Sequence, residues 1–259
     1  MCLNVKSIKV EMKKEIYIPI FGIIAGEAIL FYGQITIALW MDMVNILLIT
    51  FIIIFSNLKI KEKNVLQSST LLIILRTINV SIPRFFAPLL QYVLIYGIMF
   101  IPIYLIVKNQ QISYKELGIN FSRLYIYIPL AIIIGVITAI VEYKILSPMA
   151  SMQKIITPNL IFLGIVMFMF IGIVEEMTFR SIFQTRIEKI LGTRKSILLS
   201  GGIFGIMHSS YGILYEVLFV AMVGIIMGYI FHKTQSLPFI VSIHGVTNVI
   251  LFGILPLTI

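Results

Sequence analysis

Residues 161–180 read Ile-Phe-Leu-Gly-Ile-Val-Met-Phe-Met-Phe-Ile-Gly-Ile-Val-Glu-Glu-Met-Thr-Phe-Arg. An uncharged, apolar run from Ile161 to Val174 leads straight into two adjacent acids, and Arg180 follows four positions after the second. Taken over 159–182, the stretch has the length of a membrane helix, which needs about 17–25 mostly apolar residues. Its hydrophobicity is continuous rather than alternating, so a β-barrel strand is excluded. The segment therefore predicts a membrane helix that carries charge where charge is costly.

The same pattern recurs on both sides. Spans are predicted near 16–39, 43–58, 65–82, 84–107, 124–146, 159–182, 196–210, 213–231 and 237–256. The third, seventh and eighth are the weakest: Arg76 interrupts the third, and Gly201, Gly202, Ser209 and Ser210 leave the seventh short and polar. The expected fold is all-α, a polytopic transmembrane helical bundle of eight or nine spans. Composition agrees. Of 259 residues, 59% are hydrophobic and only 12% charged, against about a quarter charged in a soluble domain. Mean hydropathy is +1.05. A soluble enzyme, a disordered chain and a secreted disulfide scaffold are excluded. The one cysteine, Cys2, allows neither an internal disulfide nor a cysteine metal cluster.

The net charge is +9, but its placement points to membrane topology and not to nucleic acid. With the N-terminus cytoplasmic, the inner segments hold Lys6, Lys9, Lys13, Lys14, Lys59, Lys61, Lys63, Lys108, Lys115, Arg123, Arg180, Arg186, Lys189, Arg194, Lys195 and Lys233. Those are sixteen of the twenty basic residues, the asymmetry that the positive-inside rule describes. Arg84, Lys144 and Lys154 fall outside, and Arg76 lies within a span. The basic opening resembles a signal-peptide n-region. The long apolar stretch behind it, with no convincing cleavage site, predicts retention as the first membrane helix. No Walker A loop or dinucleotide glycine pattern is present. Residues 1–110 form unassigned N-terminal membrane helices, and 111–259 the segment where the chemistry gathers. Glu27 and Arg76, each costly alone in a membrane, are expected to pair. Glu142 is expected near an outer boundary, and Trp40 at the outer interface.

Ionisable residues inside membrane helices are functional candidates by default, because burying one costs at least ~2.5–3.5 kcal/mol on insertion scales. Glu176 and Arg180 are four apart with the acid first, so they can pair on one helix face. Glu175 is rotated about 100° away and is not satisfied by the same arginine. A carboxylate left without a partner in a dry place is suited to act as a general base. His208, a neutral imidazole near pH 7, can share that work. His244 and Asn248, also four apart, both offer N–H donors of the kind an oxyanion hole uses. Each residue singly has a plain structural reading, as an interhelical hydrogen bond or a stabilising ion pair. Six of them on three nearby spans read as a catalytic site for amide hydrolysis.

The three clusters, Glu175-Glu176-x-x-x-Arg180, Phe204-x-x-x-His208 and His244-x-x-x-Asn248, resemble the CAAX-protease and bacteriocin-processing family of intramembrane glutamate-dependent endopeptidases, which includes the type II CAAX prenyl endopeptidases. The motifs are intact and in the family's order, and the resemblance covers about residues 115–256. The loop Lys115-Glu116-Leu117-Gly118-Ile119 resembles the one that often precedes the family's core. The resemblance implies a CAAX-protease-like catalytic membrane domain over 111–259. It implies a hydrolase in which Glu175 and His208 activate water, Glu176 and Arg180 support them, and His244 and Asn248 hold the oxyanion. No cofactor is expected, zinc being the minority alternative, since no His-Glu-x-x-His pair is present. The implied partners are the lipid bilayer and a membrane-associated or lipidated peptide or protein. The implied cavity opens to membrane and cytoplasm, in a multi-pass protein of the cell membrane. Rival readings are a proton-coupled transporter, which predicts acids spread along a path and paired halves, and a non-catalytic membrane scaffold.

Overall fold

The structure is a computed structural model that describes residues 14–81, 89–146 and 160–258. Cys2, Lys6, Lys9, Lys13, Arg84 and Lys154, for which the sequence carries expectations, lie outside the described residues. Among the described residues nine helical segments succeed one another: α1 (Lys14–Phe31), α2 (Ile35–Phe55), α3 (Ile60–Ser81), α4 (Leu89–Asn109), α5 (Leu124–Leu146), α6 (Leu160–Leu191), α7 (Thr193–Ile206), α8 (Leu214–Thr234) and α9 (Leu237–Ile254). No strand occurs among the described residues. Six segments (α2, α4, α5, α6, α8 and α9) are long and apolar enough to cross a membrane. The protein is an all-α, multi-pass membrane bundle.

The predicted ends shift where turn chemistry overrides hydropathy. The first span does not run to residue 39. It stops at Phe31, and Gly33 at φ +78° turns the chain so that α2 starts at Ile35. A left-handed φ of this kind suits glycine, which has no Cβ to clash. α3 starts at Ile60, earlier than predicted, because Glu62 accepts the Lys59 backbone N–H at 2.7 Å and caps its first turn. α6 continues past 182 to Leu191, and along it α-helical turns alternate with π-helical ones at Val166–Gly172 and Met177–Gln184. Such π segments are uncommon and concentrate at functional places.

α7 is the short element. Its 14 residues span about 21 Å at 1.5 Å per residue, too little to cross a hydrocarbon layer of ~30 Å. It lies tightly against α8. A Cβ on Gly205 would sit 2.4 Å from the Ala221 Cβ, and one on Gly201 would sit 2.5 Å from the Ile225 nitrogen. Small residues of this sort are what allow membrane helices to approach closely. One apolar core runs from Ile16 through Leu72, Met99 and Phe183 to Val220.

The loop 110–123 closes one end of the bundle. Gln110 bonds the Asn64 carbonyl and Gln67, and accepts from Arg186 Nε at 2.7 Å. Ser181 Oγ donates to the Leu117 carbonyl at 2.6 Å, and the Leu237 N–H donates to the Gly118 carbonyl at 2.7 Å. Glu116 takes Lys189 at 2.7 Å and Arg186 at 3.4 Å. The Lys189 hydrogen bond, with help from the Ser113 N–H and Arg186, holds the Glu116 carboxyl at about 2, well below its ordinary 4.5.

Candidate active site

Glu175 and Glu176 lie near the midpoint of α6, between its two π-helical stretches. Glu176 is fully buried. Its carboxylate accepts from Arg180 Nη1 at 3.2 Å and sits 2.7 Å from His244 Nδ1. The predicted pair with Arg180 is present, and the contact with His244 is an addition the spacing did not predict. Arg180 is itself fully buried. It donates to the Gly224 carbonyl at 3.4 Å, and its guanidinium lies 4.2 Å from the Phe204 ring centroid, a cation–π contact. Phe204 in turn packs edge-on against Phe179, with centroids 4.9 Å apart, and lies beside both histidines. The phenylalanine that precedes His208 by four is thus the apolar hub of the site.

Glu175 faces elsewhere, as its helical rotation requires. The Tyr96 hydroxyl on α4 donates to its Oε1 at 2.8 Å, and its Oε2 stands 3.8 Å from His244 Nε2. Tyr96 was not singled out in the sequence. It lies in a tyrosine-containing apolar run with nothing to separate it from lipid-facing or packing tyrosines. Only its burial, together with Met99 on the same face of α4, distinguishes it.

His208 follows the end of α7. Its Nδ1 lies 2.9 Å from the Phe204 carbonyl oxygen. Because a carbonyl only accepts, Nδ1 carries the proton and Nε2 is the basic nitrogen. This bond also satisfies one of the carbonyls left open at a helix C-terminus. A second, Met207 O, accepts from Arg76 Nη1 at 3.0 Å. Arg76 is ion-paired with Glu27, as expected, and both are buried. Ser209 Oγ completes the knot, bonding Glu27 at 2.5 Å and accepting from Arg76 at 3.2 Å. α1 and α3 therefore tie down the turn that carries His208. The ion pair has a reason: α7 ends within the bundle, and Arg76 satisfies the carbonyl of the buried Met207.

Asn248 lies one turn beyond His244 on α9, is half-buried and makes no side-chain hydrogen bond among the described residues. It lines a cavity of about 180 Å³ shared with Glu175, His208, His244 and Tyr96. Glu142, expected at an outer boundary, is in the wall of that same cavity. Five of the six predicted residues are linked directly or through Phe204, and the cavity gathers Glu175, His208, His244 and Asn248. A zinc site needs three or four converging donors, and among the described residues no group of three His, Cys, Asp or Glu side chains is so arranged.

Fold and site together define a multi-pass membrane protein with an acid and imidazole centre enclosed by its helices. Residues 157–250 match the family model of the type II CAAX prenyl endopeptidases, Rce1-like. The match covers all three motifs and bears out their family reading over that segment. No curated protein and no solved structure matches the chain.

Proposed function

We propose that this protein is an intramembrane endopeptidase of the cell membrane that hydrolyses a peptide bond in a membrane-associated protein or peptide. Its N-terminus is cytoplasmic, and residues 111–259 carry the chemistry. The observation that carries this reading is the facing of Glu175 and His244 Nε2 at 3.8 Å across a cavity that His208 and Asn248 also line.

Glu175 is the general base. It takes a proton from a water molecule whose other hydrogen bonds to the basic Nε2 of His208, and the water oxygen attacks the scissile carbonyl carbon. Asn248 Nδ2 and a protonated His244 Nε2 hold the resulting oxyanion. Donors fixed in advance in a dry site are worth about 2.7–4 kcal/mol each. Glu176 holds His244 Nδ1 and is itself held by Arg180, so the ring keeps its orientation while charge develops. When the intermediate collapses, Glu175 returns the proton to the departing amine nitrogen.

The test is cleavage of a peptide ending in a prenylated Cys-a-a-X motif by purified protein in detergent, followed by mass spectrometry. Wild type is expected to release the terminal tripeptide, and Glu175→Gln to be slower by about 10²–10⁴-fold, the usual loss for a general base. Equal rates for the two proteins would refute the assignment of Glu175.

A further inference from the structure

Glu142 brings to the cavity a carboxyl that the proposed chemistry does not use. It lies on the last turns of α5, half-buried, in the cavity wall. Its side chain shares a hydrogen bond with the carboxyl of Glu216, on the first turn of α8. Glu216 is fully buried, and among the described residues no N–H or O–H donor outside this pair reaches either of its oxygens. A carboxylate has no hydrogen to donate, and two ionised carboxylates in contact repel. The pair therefore holds a proton or a cation between its oxygens.

With one proton between them the two acids carry a single negative charge. Among the described residues no cation acts on either. Lys144, two residues on, is turned about 200° around α5 and is exposed. Arg76, the arginine of the cavity wall, is bound to Glu27, Ser209 and the Met207 carbonyl. A buried charge with no counter-ion is costly. The cavity is where a ligand can supply one, because Glu142 lines it.

Helix packing fixes how far this charge lies from the reacting bond. α5 and α9 run side by side in the same direction: a Cβ on Gly135 would meet Val246 at 2.7 Å, and Tyr143 and Leu146 share an apolar cluster with Leu251. Counting 1.5 Å per residue from the contact of Gly135 with Val246, Glu142 stands ~7 Å further along than Asn248. That is about two residues of extended peptide, at roughly 3.3–3.6 Å each. Building on the proposed peptidase activity, in which Asn248 marks the scissile carbonyl, we propose that Glu142, backed by Glu216, is a specificity-determining residue. It takes the ammonium or guanidinium group of a substrate lysine or arginine two residues from the bond that is cut. A substrate with an acidic side chain there meets like charge and is rejected.

The test uses fluorescein-labelled versions of the prenylated peptide, differing only in Lys, Gln or Glu at the second residue before or after the scissile bond. Fluorescence anisotropy reads their dissociation constants for the full-length Glu175→Gln protein in detergent, where Glu175 contributes no charge. In one of the two series Lys is expected to bind tighter than Gln by roughly tenfold or more, the lower end for a hydrogen bond to a charged group, and Glu to bind more weakly than Gln. Adding Glu142→Gln is expected to bring the Lys-to-Gln ratio to about one, and Glu142→Lys to invert the order. Glu216→Gln, which leaves a single carboxylate at Glu142, is expected to keep the Lys preference. Each ratio is taken within one preparation, so partial loss of folded protein does not alter it. Equal affinities, no binding of any peptide, or a Lys preference that outlives Glu142→Gln overturns the proposal. The last result would make the two acids a structural tether between α5 and α8. Binding needs no turnover, so a failed cleavage assay and a failed preference are separate results.

Discussion

Glu175 receives the Tyr96 hydroxyl from a helix outside the three motifs, and Tyr96→Phe isolates that single bond. A hydrogen bond to a charged group contributes about 1.5–3 kcal/mol, so the cleavage rate is expected to fall roughly 10–100-fold with KM little changed. A variant whose KM rises while kcat is preserved would show instead that Tyr96 acts in binding. The six residues of the motifs were legible because they are the wrong chemistry for their solvent, and because helical spacing fixes which share a face. Glu176 with Arg180 follows from an i,i+4 step alone. Glu176 with His244 does not, since it depends on how α9 lies against α6. Tyr96 was illegible for a different reason: tyrosine is ordinary in a membrane helix, and only tertiary packing separates this one from Tyr104, which is 60% exposed.

The helix α7 shows how an element's length creates demands elsewhere. Because it stops short, its terminal carbonyls are served by His208 and by Arg76, and Arg76 in turn requires Glu27. The pairing of Glu27 with Arg76 could be anticipated from cost alone, but its target, the turn bearing His208, could not. Removing one partner of a buried pair leaves an uncompensated charge at a cost of about 3–5 kcal/mol. Glu27→Gln and Arg76→Met are each expected to lower the thermal midpoint in detergent sharply. The double variant is expected to lose clearly less than the sum of the two, and strictly additive losses would count against coupling. The contact with α8 is as exacting. Gly205→Leu has no space against Ala221 and is expected to destabilise the bundle by the ~1–3 kcal/mol typical of overpacking, and to lower activity through displacement of Phe204 and His208. Ala221→Gly is expected to give no rescue, because a side chain at 205 would also meet the Ala221 nitrogen at 2.4 Å and its Cα at 2.5 Å. Helix ends were the least legible feature, since a hydropathy run continues smoothly through Gly33 while the backbone turns there.

At the scale of the whole molecule, the loop 110–123 seals the basic end of the bundle by polar bonds, and the seal has a measurable acid limit. Glu116 is its charged centre, held at about 2 in the folded protein against an ordinary value of 4.5. A group whose folded value lies below its unfolded one stabilises the fold fully above the unfolded value, and that contribution declines as pH falls towards the folded value. The window is therefore pH 4.5 down to about 2. Because Glu116 is 39% exposed and Lys189 45%, solvent screens the pair and its contribution stays below about 1 kcal/mol. The difference in thermal midpoint between wild type and Glu116→Gln is thus expected to be constant from pH 7 to about 5, to narrow between 4.5 and 2, and to vanish below. Raising the salt concentration should shrink the plateau as well, since exposed charges are screened within about a Debye length. A difference that persisted unchanged to pH 2 would mean that Glu116 contributes through its capping bonds to Ser113 and not through its charge.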